Sequence, residues 1–171
     1  QIWMRILGVR KPIWNTEVNY GIQIGGTGKA RDIPIAKESA MVARTYLLNA
    51  DGGVKKVFWY AWDLTGGLAN THLTFASGNT SPAGNAYKVV RSWMTGSRML
   101  GCTRDGRGTY TCTLKYAGGV RRVYWNPSRT VTVRTATSTR EWQNVQGVSR
   151  SVRGSKSLKV NYSPIMVRSA R

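Results

Sequence analysis

The chain has 171 residues and carries 26 Lys and Arg against 7 Asp and Glu, which gives a formal net charge of +19. Apolar residues make up 41% of it and include 7 Trp and 8 Tyr, so a folded core is expected rather than disorder. It has no run of about 18 apolar residues, so no membrane span is predicted. The opening QIWMRILGVRKP does not fit a signal peptide.

The positive charge is concentrated in the second part of the chain. Residues 1–96 hold 11 basic and 5 acidic side chains, net +6, whereas residues 97–171 hold 15 and 2, net +13. Such a surplus favours association with anionic polymers such as nucleic acid, anionic lipid or acidic glycan. The basic residues are interleaved singly or in pairs through strand-like sequence, so a merely solvated, arginine-rich surface is the alternative.

The first part of the chain predicts a strand, a helix and a second strand. Pro12 to Thr16 is a short β-favouring run. After a Gly-rich loop, IPIAKESAMVARTYLLNADGG has helical spacing, with Asp32 as a candidate cap and Pro34 near the first turn. The continuous apolar and aromatic run from Val57 to Trp62 is typical of a strand buried on both faces. Such a unit usually forms a parallel pair with a right-handed crossover.

A second helix and an all-β region follow. The helix is predicted from its cap at Ser81 to about Thr95, with Gly96 ending it. Beyond it, short alternating runs are separated by turn residues: TYTCTLKY, RRVYW, TVTVRT, SLKVNY and PIMVRS. The sequence therefore predicts an α/β part over residues 1–96 and a small all-β module over residues 97–171.

The two cysteines flank a turn-rich segment, RDGRG. If the segments around Cys102 and Cys112 pair as a hairpin, the two sulfurs face each other, and a disulfide there would indicate an exported protein. Two buried free thiols are the alternative. With one His and two Cys in the chain we expect no metal site, and no cofactor is indicated.

Carboxylates and aromatic residues gather where the two predicted strands end. Glu17 lies just past the first strand, and Trp62 and Asp63 lie at the end of the second. Neighbouring parallel strands end at one edge, where functional groups collect, so Asn15 and Tyr20 are expected there too. Aromatic rings and amides bind sugars, and a carboxylate supports an oxocarbenium-like transition state. A structural or surface Glu17 and plain core packing of Trp62 are the alternatives.

The segment PIWNTEVNYG resembles the nucleophile segment of the clan A glycoside hydrolases, which are retaining (β/α)8 enzymes. Six consecutive residues match in order the Pro-aliphatic-x-x-Thr-Glu pattern that ends the seventh strand of that clan: Pro12, Ile13, Trp14, Asn15, Thr16 and Glu17. The run VFWYAW lies where the eighth strand, which commonly carries a subsite Trp, should follow. ARTYLLNADGGVKKVFWYAW resembles actinobacterial members related to the β-xylosidase and arabinanase-like branches, and SPIMVRS resembles the last strand of their trailing β-sandwich.

The resemblance implies a fold class of α/β plus all-β, namely the last strand-helix units of a (β/α)8 barrel followed by a small antiparallel β-sandwich. It implies that Glu17 is the catalytic nucleophile of a retaining O-glycoside hydrolase, with Asn15, Tyr20, Trp62 and Asp63 in substrate binding. A whole barrel takes eight units and about 250 residues. The acid/base Glu of the clan has no counterpart before Glu17, so we expect little or no turnover from this chain alone.

The expected partners follow from the same resemblance and from the charge. They are a polysaccharide or oligosaccharide substrate, a further chain that completes the barrel, and an anionic polymer on the basic β domain. A secreted or cell-surface location is expected. The alternative function is a non-catalytic, basic module that binds carbohydrate or an anionic polymer. Nucleic-acid binding is a third reading, although no recognised nucleic-acid motif supports it.

Overall fold

A computed structural model describes residues 2–21, 33–63 and 71–170. The described residues of the first part contain three helices and two strands: α1 (Ile2–Ile6), β1 (Ile13–Val18), α2 (Ile35–Asp51), β2 (Val54–Trp59) and α3 (Pro82–Met94). β1 and β2 pair in parallel, with α2 between them in sequence, which confirms the predicted strand-helix-strand unit. The candidate cap Asp32 lies outside the described residues, and α2 begins directly after Pro34, whose side chain makes no capping hydrogen bond.

Residues 97–170 form eight strands: β3 (Ser97–Arg104), β4 (Tyr110–Tyr116), β5 (Gly119–Trp125), β6 (Val131–Arg134), β7 (Thr139–Asn144), β8 (Ser149–Ser151), β9 (Ser157–Val160) and β10 (Ile165–Ala170). Six of them make an antiparallel sheet in the order β3-β4-β5-β10-β7-β8, and β6 pairs with β9. The predicted antiparallel β region is confirmed. The sequence patterns missed β3, β7 and β8, which are poor in β-branched residues.

One hydrophobic core joins the helices to the large sheet. Buried side chains of α2 and α3 cluster with those of the sheet: Val42, Leu47, Val90, Trp93, Leu114, Val123, Trp125 and Met166. Polar contacts cross the same junction. The Trp93 indole donates to Gln143 Oε1 at 2.6 Å, and Asp51 Oδ1 accepts from the backbone N–H of Cys102 at 2.8 Å.

The second strand differs from its prediction in place and in burial. β2 runs over Val54–Trp59, three residues earlier than the aromatic run suggested, because Val54 and Lys56 pair with the start of β1. Its burial on both faces was wrongly predicted, since the ring of Phe58 is 47% exposed. Glu17 also lies inside β1 rather than just past it.

The two cysteines are cross-strand neighbours in the β3–β4 hairpin. Cys102 pairs in register with Cys112, and a disulfide joins them. The disulfide alternative is therefore the one that the structure bears out. Within the described residues, no helix is both long enough and apolar enough to cross a membrane.

Candidate active site

The ends of β1 and β2 lie side by side. Val18 pairs with Trp59, and the backbone N–H of Tyr60 donates to the Val18 carbonyl at 2.9 Å. The carboxyl ends of the two strands thus form one edge, as the parallel pairing predicted. The residues that follow β1 and β2 in the chain therefore leave the sheet at this edge.

A register shift sets the direction of Glu17. Asn15 pairs with Val57 and Val18 with Trp59, so an advance of three residues along β1 matches an advance of two along β2. Thr16 and Glu17, inside the shift, are both exposed, whereas Asn15 and Val18 are half-buried. Consecutive residues of a regular strand face opposite sides, and an extra residue in one strand re-aims a side chain. The shift therefore presents Glu17 together with Thr16 on the side of the sheet that is open to solvent.

The Glu17 carboxylate makes no hydrogen bond or ion pair with any residue in the described part of the chain. Other described carboxylates do have structural partners: Asp51, Asp105 and Glu141. The interpretation of Glu17 as an ion-pair residue finds no support among the described residues. Glu17 is exposed, and its carboxylate has no structural partner there.

Two aromatic rings line the open side of the strand pair. Because Asn15 faces α2, where its amide donates to Asn49 Oδ1 at 3.3 Å, its neighbour Trp14 faces away from the helix. The Trp14 and Phe58 ring centroids are 6.2 Å apart, and Lys56 Nζ lies 4.3 Å from the Trp14 centroid. The open side is thus an aromatic surface formed by Trp14 and Phe58, with the Glu17 carboxylate near the carboxyl end of β1.

Trp62 and Asp63 lie beyond β2 rather than at its end. The Trp62 ring is 49% exposed and meets Tyr87 of α3 edge to face, with centroids 5.6 Å apart. Its carbonyl accepts hydrogen bonds from the N–H groups of Leu73 and Thr74 at 3.1 and 3.0 Å. Trp62 is held from two directions while its indole keeps accessible surface, the condition for stacking on a sugar ring. Asp63 is exposed.

Two of the predicted site residues point to the helix layer instead. Asn15 contacts α2 as described, and the Tyr20 hydroxyl hydrogen bonds Thr45 Oγ1 at 2.6 Å. The Tyr20 ring also packs near Trp59, with centroids 6.0 Å apart. The structure does not bring Asn15 or Tyr20 to the open side with Glu17.

Asn19 holds the strand ends together. Its buried amide donates to the carbonyls of Tyr60 and Thr71, the latter at 3.0 Å, and its Oδ1 accepts from the N–H groups of Tyr20 and Thr71. Its nearness to Glu17 in the sequence was the one signal for such a role. Nothing in the sequence indicated that Tyr87 contacts Trp62, because α3 is distant in the chain.

The His72 side chain interacts electrostatically with Glu38, which lies in the first turn of α2. Burial raises the pKa of the Glu38 carboxyl, and the charge of His72 opposes that shift. In the described ranges, no group of three or more His, Cys, Asp or Glu is placed to hold a metal ion.

Comparison with known proteins bears on the fold. No protein-family model and no curated protein matches the sequence. Among solved structures, a family 39 glycoside hydrolase from Bacteroides cellulosilyticus WH2 superposes on 94% of this chain with a TM-score of 0.72 and 19% identity. The fold is that of glycoside hydrolase structures.

Two further solved structures agree. A GH30 endoxylanase from Clostridium papyrosolvens C71 superposes on 100% of the chain with a TM-score of 0.63 and 12% identity. A glucosidase from Croceicoccus marinus superposes on 98% with a TM-score of 0.64 and 10% identity. This chain spans 34%, 45% and 47% of the three similar chains, which is less than half the length of each.

Proposed function

We propose that this chain is the C-terminal part of a retaining glycoside hydrolase in which Glu17 is the nucleophile. The observation that carries the proposal is the exposed, structurally unpartnered Glu17 carboxylate, which the register shift presents beside an aromatic surface. It stands in a fold that glycoside hydrolases share. The finer assignment to the β-xylosidase and arabinanase-like branch rests on the sequence resemblance alone.

In the proposed reaction the Glu17 carboxylate attacks the anomeric carbon while the glycosidic C–O bond breaks. A carboxylic acid about 5–5.5 Å away protonates the departing oxygen, and water then cleaves the glycosyl ester. We assign that acid to the remainder of the enzyme rather than to Asp63, whose place after β2 is not that of the clan's acid. Trp62, braced by Tyr87, supports the sugar ring.

The remainder of the enzyme is proposed to cover the open side. Parallel strands are normally buried on both faces. Yet in the described residues the sheet holds β1 and β2 alone, and Trp14 and Phe58 are about half exposed. Further barrel strands, from the same gene product or from another chain, would pack on these rings. A polysaccharide substrate and secretion are part of the proposal, and the disulfide supports an oxidising location.

Covalent trapping tests the proposal. The gene product that contains this chain, together with its upstream coding sequence, is treated with an activated 2-fluoro glycoside and mapped by mass spectrometry. We expect the label on the peptide that contains Glu17. Glu17→Gln should lose the label and lower turnover of an aryl glycoside on the order of 10⁴-fold, the scale at which removal of an activated nucleophile acts.

The matched control is Glu141→Gln, which also replaces a carboxylate with an amide. Glu141 lies in the β part, where it pairs with Arg168. It should keep the label and the turnover within about twofold, since this partly exposed ion pair lies in the β part, outside the proposed site. Labelling of a different carboxylate would contradict the assignment of Glu17. Turnover by the isolated chain that is lost in Glu17→Gln would contradict the assignment of the acid to the remainder.

A second candidate function is a non-catalytic module that binds carbohydrate or an anionic polymer. The observation in its favour is that residues 97–171 carry 15 basic and 2 acidic side chains, with Arg168–Glu141 as the one ion pair among the described residues. Most of these basic side chains therefore have no acidic partner among the described residues.

A further inference from the structure

A groove lies between the first turn of α2 and two loops of the β part. Its volume is about 420 Å³, within the range of about 300–1,000 Å³ that is usual for ligand sites. Its walls come from Ala36 and Lys37 of α2, from residues 127–130 and from residues 161–163. We call it the α2–β groove.

Among the described residues, the groove is lined by two positive charges and no negative one. These are the exposed side chains of Lys37 and Arg129, and no carboxylate of the described ranges lines it. Neither cation makes an ion pair in the described ranges. The Arg129 guanidinium donates to the backbone carbonyl of Arg107 at 3.2 Å, which fixes its position at the rim.

The loop that carries Arg129 is built before any ligand arrives. Fully buried Asn126 accepts from the N–H groups of Ser128 and Arg129 at 3.0 and 3.1 Å and donates to the Arg107 carbonyl at 3.0 Å. Its own N–H donates to the Asn161 carbonyl at 2.8 Å, which ties the two groove loops together. A prebuilt site loses less conformational freedom when it binds.

The remaining wall suits a sugar. The Tyr162 ring is fixed by Arg44, whose guanidinium carbon lies 3.7 Å from the ring centroid, and Lys37 Nζ lies 5.8 Å from the same centroid. Ser128, Thr130 and Ser163 add hydroxyl groups along the groove. Cations, hydroxyls and an aromatic ring together recognise a ligand that carries both hydroxyl groups and a negative charge.

We propose that the α2–β groove binds an anionic sugar unit of a polysaccharide, with its carboxylate or sulfate held between Lys37 and Arg129. The choice of a saccharide rests on the proposed function. Position also supports it, because a crossover helix runs antiparallel to the strands it joins. The first turn of α2 thus lies at the same end of the unit as the carboxyl end of β1, the strand that contains Glu17.

Calorimetric titration of the full chain with an oligogalacturonate, at about 0.15 M salt to limit nonspecific attraction, tests this proposal. Lys37→Ala and Arg129→Ala should each weaken binding about tenfold, as expected for loss of a charge-assisted hydrogen bond. Neutral xylo-oligosaccharide and the methyl-esterified oligogalacturonate should bind much more weakly than the acid form.

Matched controls are Arg134→Ala and Lys159→Ala, which remove exposed charges from the β6–β9 pair. They should change affinity by less than about twofold, the scale expected of screened charges outside the contact. Equal weakening by groove and control variants would overturn the proposal in favour of generic charge. So would equal binding of the neutral sugar, no measurable binding of the acid form, or tighter, steeply salt-dependent binding of single-stranded DNA.

The two proposals fail separately. Covalent labelling reads out Glu17, whereas the Lys37 and Arg129 variants read out the groove, which Glu17 does not line. A protein that binds the acidic glycan through Lys37 and Arg129 but is not labelled at Glu17 would contradict the nucleophile assignment alone. Labelling at Glu17 without groove binding would contradict the groove alone.

Discussion

A single buried amide, that of Asn19, joins three segments at the edge where Glu17 lies. Its nitrogen donates to two carbonyls and its oxygen accepts from two N–H groups, so the amide is fully satisfied. A carboxylate of the same shape has no donor for the carbonyls of Tyr60 and Thr71. Asn at this position is therefore a chemical requirement of the fold rather than a matter of size.

Asn19→Asp is predicted to destabilise the chain by about 3 kcal/mol at neutral pH, because it leaves two carbonyls facing a buried negative charge. Burial beside those carbonyls would raise the pKa of the introduced carboxyl above its unfolded value. The stability of the variant should therefore fall as the pH rises through that range and recover at acid pH. Thermal unfolding of variant and wild type across pH measures the difference.

Asn79→Asp is the control, because it introduces the same carboxylate at an exposed position. It should shift stability by less than about 0.5 kcal/mol. A loss at Asn19 that does not depend on pH would show that lost packing, not charge burial, is the cause.

At the same scale, a local motif predicts the role of Glu17, and that role stays a prediction. The register shift that exposes Glu17 could not be predicted from the motif, because it arises from pairing with a strand about forty residues later. Asn15 and Tyr20 were predicted at the site because they are near Glu17 in the sequence. Strand alternation turns Asn15 to α2, and the Thr45 hydroxyl holds Tyr20 there.

At the scale of elements, α3 depends on a close approach to the backbone of the preceding segment. Its start was predictable because the signals are local: Ser81 Oγ accepts from Gly84 N at 3.0 Å, and Pro82 follows the cap. A Cβ at Gly84 would lie 2.0 Å from the Leu73 carbonyl oxygen. The bounds of β2, in contrast, depend on its partner strand and were not predictable from its own residues.

Gly84→Ala is predicted to cost at least about 2 kcal/mol of stability, because the atom in the way is backbone and the helix must shift, an overpacking penalty that outweighs the helix propensity of Ala. Chemical denaturation with circular dichroism measures the change. Gly106→Ala is the control, since no atom lies within 4 Å of a Cβ there. Its stability should be nearly unchanged, and an equal loss in both variants would contradict the steric explanation.

At the scale of the whole molecule, the helices pack against two sheets. α2 is the crossover of the β1–β2 pair, while its buried residues and those of α3 form one core with the large antiparallel sheet. The predicted boundary near residue 96 falls between α3 and β3, where composition changes. Composition reports the change of element type, but it carries no information on the shared core, which is built from contacts between distant residues.

The open side of the β1–β2 pair gives the isolated chain a surface for association. In the described residues no other strand pairs with either edge, and Trp14 and Phe58 expose about half of their area. Apolar faces and free strand edges of this kind favour association.

We predict concentration-dependent oligomers in sedimentation velocity, with the monomer fraction raised in the double variant Trp14→Ser and Phe58→Ser. Phe75→Ser is the control, because Phe75 is equally exposed but lies in the turn before α3, outside the strand pair. A chain that stays monomeric at high concentration, or an equal response of the control, would show that this face is not the association surface.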